Sequence, residues 1–81
     1  MSAAESPGAI QEELQVVEED LARLREAAAD LRRHIGEGWD EPTDPEERSV
    51  LIQGAEEQEA LIGELEARRD ELQRRLAAVE S

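Results

Sequence analysis

The chain has 81 residues and a net charge of −13, from 22 acids against nine bases, all of them Arg, and it has no Cys. That length holds one small domain, and without Cys there is neither a disulfide framework nor a thiolate metal site. The acidity opposes phosphate backbones and anionic membrane surfaces, because binding either needs cations to displace counterions; the expected partner is a protein with a basic surface, with no nucleic acid and no membrane.

Residues 1–8 read as a disordered lead, with Ser6 placed to cap a helix and Pro7 suited to a first helical position. The lead has no basic region followed by an apolar run, so it does not read as a secretory signal, and the expected location is cytoplasmic. A helix is predicted over 9–35. Ile10, Leu14, Val17, Leu21, Leu24, Ala28, Leu31 and Ile35 recur in alternating steps of four and three, a heptad seam about 39 Å long. His34 lies in the last turn, where a cation opposes the helix dipole, and Gly36 reads as the stop.

Residues 36–44 form an acidic loop holding Trp39, Asp40, Glu41 and Pro42. Asp44, Pro45 and Glu47 then match an N-cap, a first helical residue and a capping-box acid. The second helix is predicted over 45–79, with Leu51, Ala55, Gln58, Ile62, Leu65, Arg69, Leu72, Leu76 and Val79 on its seam. Gln58 and Arg69 interrupt that seam. Glu64–Arg68, Asp70–Arg74 and Glu71–Arg75 are spaced as i,i+4 ion pairs.

So short a connection forces the helices antiparallel. The fold class is therefore all-α, a two-helix antiparallel coiled-coil hairpin, with dimerisation into a four-helix bundle as a further expectation. Two registers satisfy the seams. The favoured one sets Leu31 against Ala55 and Ala28 against Gln58, and brings Arg69 toward Glu13 and Asp20. The other, one heptad away, sets Ala28 against Leu51 and Arg69 against Ile10.

Function is expected to be non-enzymatic. Two helices offer no enclosed substrate pocket, the acids match no calcium-loop spacing, and His34 has no Cys or His beside it; no cofactor or metal is expected. Val50, Gly54 and Leu61 lie on one side of the second seam and Ile52 on the other. With Trp39 they are the candidate surface for a protein partner or a second copy, since exposed aliphatics and Trp anchor interfaces.

Arg32, Arg33, Gly38, Asp40, Asp44 and Glu47 around the turn, followed by Ala55-Glu56-Glu57-Gln58-Glu59 and Leu65-Glu66-Ala67, give the chain a second aspect. Over Leu21 to Leu76 it resembles the coiled-coil hairpin of Gre-type and DksA-type factors, which enters the secondary channel of RNA polymerase. The resemblance implies that Asp40, Asp44 and Glu47 would be tip acids acting at a basic channel. The Asn and Tyr that follow the Gre tip acids are missing here, and Pro42 and Pro45 alter the loop.

Overall fold

In the computed structural model, residues 6–37 and 44–80 are described. They form two α-helices, α1 (Pro7–Glu37) and α2 (Pro45–Glu80), lying side by side in a rod 62 × 17 × 15 Å. Among the described residues there is no strand. The architecture is an all-α helical hairpin.

Both starts follow from local chemistry. Ser6 Oγ accepts the Ala9 amide at 3.3 Å while its carbonyl accepts the Ile10 amide at 3.1 Å, so the cap saturates donors that an α-helix leaves free at its first turn. Asp44 does the same for α2: its Oδ1 accepts the Glu46 amide at 3.1 Å and its carbonyl the Arg48 amide at 3.0 Å. Pro7 and Pro45 then occupy first positions, where a missing N–H costs nothing. Asp44→Ala is expected to cost about 1 kcal/mol, seen as a lower urea midpoint, whereas Asp44→Asn, an equally good cap, leaves the midpoint unchanged within a few tenths.

Each helix differs in extent from the sequence expectation. Pro7 and Gly8, expected in the lead, are helical, residues 1–5 of the expected lead lie outside the described residues, and α1 passes through Gly36 to Glu37 instead of stopping there. Gly36 has nothing within 4 Å of where a Cβ would stand; a glycine with no left-handed backbone angle to supply does not end a helix. The second helix extends one residue, to Glu80.

The core is the pair of seams. Ile10, Leu14, Val17, Leu21 and Ala28 of α1 are buried, as is Leu72 of α2, with Ile62, Leu65 and Leu76 packed against them. Leu24, Leu31 and Ile35 are partly buried. Leu21 and Leu72 are the most enclosed, at 2% and 1% exposure. Val79, the last expected seam residue, is 40% exposed, since the register carries it beyond Ile10, where α1 offers only its first turn.

Contacts between helices select the register. A Cβ on Gly54 would meet Leu31 Cδ2 at 3.8 Å. Arg25 reaches Glu66 at 2.7 Å, Arg32 pairs with Glu59, and on the opposite side Arg68 reaches Glu13 at 2.9 Å. These pairs bracket the arrangement in which Ala28 lies level with Gln58. The alternative register would move Arg25 and Glu66 about 18 Å apart along the axis, beyond the reach of both side chains.

The expected surface pairs are partly rearranged. Glu71–Arg75 forms at 2.8 Å. Arg68 turns to Glu13 and to Glu71, at 3.2 Å, in place of Glu64, and Asp70 holds Arg69 at 3.1 Å in place of Arg74. Arg69 therefore does not reach Glu13 or Asp20 as expected; Arg68 has Glu13, and Arg23 has Asp20. The cause is position. Arg68 lies beside the seam, where flanking residues of antiparallel helices face one another, while Arg69 points along the seam and turns sideways to the nearest carboxylate. Exposed pairs like these contribute at most about 1 kcal/mol each.

Gly63 sits mid-helix in α2 with open space where a Cβ would project. Gly63→Ala is expected to stabilise the hairpin by about 0.5–1 kcal/mol, measured as a raised thermal midpoint, because alanine loses less backbone entropy on entering a helix.

Candidate functional site

The rod has two long flanks, one on either side of the seam. The first is marked by the Arg68–Glu13 pair, the second by Arg25–Glu66 and Arg32–Glu59. Residues seven apart on a helix share a face, which assigns the rest. Leu61 and Gly54 lie one and two such steps before Arg68, on the first flank, and Val50 is one turn before Gly54. Ile52 lies one step before Glu59, on the second flank.

Exposure separates these candidates. Val50 is 68% exposed, Leu61 48% and Ile52 38%. Gly54 is partly buried beneath Leu31. An added Cβ there would stand at ordinary contact distance from Leu31. Trp39 and Asp40 lie outside the described residues. Asp44 and Glu47 are exposed at the start of α2, with Asp44 engaged as the cap.

Val16 was not singled out from the sequence. It is 57% exposed and lines an open hollow with Ala9, Glu12, Glu13 and Val17 on the first flank. The signal for it was present: Val16 adjoins the seam residue Val17 as Val50 adjoins Leu51 and Leu61 adjoins Ile62. Val50, Leu61 and Val16 all lie on this side of the rod as separate exposed aliphatics, with the Arg68–Glu13 pair between Leu61 and Val16.

The second flank is closed by charge. Arg25 and Arg32 straddle a shallow hollow floored by Ala28, Ala29 and Ile62, and each arginine is tied across to α2. Among the described residues no group of three or more acidic or histidine side chains is placed to hold a metal ion, and no helix is long and apolar enough to cross a membrane.

No protein-family model, curated protein or solved structure matches this chain. The Gre/DksA-type resemblance rests on the residues quoted above.

Proposed function

We propose that this chain is a non-enzymatic coiled-coil interaction module, a small adaptor or scaffold element that binds a protein partner with a basic surface. The observation that carries this reading is the exposure of Val50 and Leu61 on one flank of a hairpin whose seam is already filled. Aliphatic side chains gain roughly 25 cal/mol for each Å² removed from water, and α1 leaves these two uncovered. The net charge of −13 selects among partners, raising encounter rates with basic surfaces and rejecting acidic ones.

Affinity capture of the tagged chain from its native host, with crosslinks located by mass spectrometry, tests the proposal. A stoichiometric partner lost on Leu61→Glu and retained by a variant carrying Asp40→Asn, Asp44→Asn and Glu47→Gln supports it. Asparagine at position 44 keeps the cap, so the triple variant removes charge without the folding cost of alanine. Loss of the partner only in the triple variant, with polymerase subunits recovered by the parent chain, would instead assign the function to the acidic tip. Recovery of no partner at all would contradict an interaction role.

A further inference from the structure

We propose that the hairpin opens from its turn: residues 29–37 of α1 and 44–57 of α2 part and lose helix as one unit, while the stem, Ile10 to Leu24 with Ile62 to Leu76, stays paired. Packing is unequal along the rod. Among the described residues every buried side chain but Ala28 lies in the stem: Ile10, Leu14, Val17, Leu21 and Leu72, with Ile62, Leu65 and Leu76 against them. In the observed register the stem sets Ile10 level with Leu76, Leu14 with Leu72, Leu21 with Leu65 and Leu24 with Ile62; only Arg69, level with Val17, interrupts it. Toward the turn the seam thins. Ala28 lies level with Gln58, whose Oε1 is buried without a hydrogen-bond partner among the described residues, and Leu31 lies over Gly54 and level with Ala55. Ile35 and Leu51 close the row, both only partly buried. Small residues and an orphaned acceptor stabilise each turn less than paired leucines do, because the gain follows the apolar area removed from water.

Local propensity runs the same way. The turn-side half holds Gly36, Gly54 and the β-branched Ile35, Val50 and Ile52, poorer helix formers than the Leu, Glu, Ala and Arg that fill most of 64–78. Once parted, each segment is a lone extension of a stem helix with no apolar face covered, and packing of such a face supplies most of a helix's stability in water. Arg32–Glu59 ties the segments at their base, but both side chains are exposed, and a pair in that setting holds weakly. Opening at the closed end also costs little chain entropy. The connecting loop grows roughly fourfold when its ends retreat from Glu37 and Pro45 to Ala28 and Gln58, and closure entropy rises only with the logarithm of length. Opening from the free ends would instead break the packing of Ile10, Leu14 and Leu72 first. The device stands independently of the interaction role and bears on it: a partner that takes Val50 and Ile52 in helical form selects the closed state, which links binding to closure.

The test is hydrogen exchange of the full chain under native conditions, read amide by amide by NMR from zero to low urea. Amides of Leu31 to Ile35 and Val50 to Ala55 are expected to be at least tenfold less protected than those of Val17 to Leu21 and Leu65 to Leu72, with a shallower dependence on urea. Ile10→Val loosens the stem alone. It should lower stem protection about threefold or more and leave turn-side protection within twofold, and circular dichroism confirms that the variant stays folded. Protection that is uniform across both halves, or lower in the stem than beside the turn, overturns the proposal. So does turn-side protection that falls together with that of the stem in the Ile10→Val variant, the mark of a single cooperative unit. No partner is present in the experiment, so its failure leaves the interaction role standing.

Discussion

Leu72→Ala and Leu21→Ala should each destabilise the hairpin by about 2–5 kcal/mol, the cost of removing a buried leucine and leaving a cavity. These two side chains are the most enclosed among the described residues, at 1% and 2% exposure, and they belong to one cluster with Ile10, Leu14 and Val17. A chain of this length has a total stability of roughly 4–12 kcal/mol, so either substitution removes from about a sixth to all of it. Little can collapse to fill the space. Each helix has one neighbour, and the flanks beyond Leu72 carry Arg68, Glu71 and Arg75, whose charges are held in ion pairs. The expected result is a largely unfolded chain at 37 °C by circular dichroism for Leu72→Ala, with Val50→Ala, at an exposed site, within about 0.5 kcal/mol of the parent. A Leu72→Ala midpoint close to that of the parent would mean that the seam is not the core.

The second large effect has the opposite sign. Gln58 interrupts the α2 seam, and its Oε1 is buried without a hydrogen-bond partner among the described residues. A buried acceptor left unpaired costs about 1–3 kcal/mol. Gln58→Leu is therefore expected to raise stability by about 1–2 kcal/mol, read as a higher urea midpoint at unchanged slope. The glutamine has a second effect. In the heptad-shifted register Gln58 would lie against Leu21, the centre of the packed cluster, whereas in the observed one it lies level with small Ala28. A polar residue at a seam position discriminates between registers at a cost in stability. Arg69 lies level with an apolar seam residue in both arrangements, Val17 in the observed one and Ile10 in the shifted one, so the discrimination along the seam rests on Gln58. Gln58→Leu should still keep the observed register, which Arg25–Glu66, Arg32–Glu59 and Arg68–Glu13 also hold, seen as a single set of amide resonances for the α2 seam.

Much of the fold was legible because a heptad seam is written in one dimension. The α1 residues chosen by spacing, from Ile10 to Ile35, are all buried or partly buried, with Asp20 the one partly buried residue of α1 off that list among the described side chains. Ser6, Pro7, Asp44 and Pro45 announced the two helix starts, since capping depends on a few consecutive residues. Pairs that cross between helices were harder. Arg25–Glu66 and Arg32–Glu59 join residues far apart in sequence, and the spacing left two registers open; with the register known, both pairs follow from residues flanking the seam. Arg69 was assigned Glu13 for its charge and approximate height, and the side on which its neighbour Arg68 projects decided otherwise. Val16 was passed over because it adjoins a seam valine and reads as part of it, although one step around a helix is a rotation of about 100°. The nearness of Gly54 to Leu31 depends on the register, which the spacing left open.

The hairpin itself is tested most directly by a distance between its two helices. Because the natural chain has no Cys, Glu18→Cys and Gln73→Cys can carry spin labels without further change. These sites continue the side on which Arg32 meets Glu59 and Arg25 meets Glu66, seven residues farther along each helix. Pulsed electron resonance on the doubly labelled chain, diluted in unlabelled chain, should give a single distance below about 25 Å, as expected for helices packed 8–10 Å apart. A separation near 80 Å, the length of 55 helical residues laid end to end, would show one continuous rod and contradict the account.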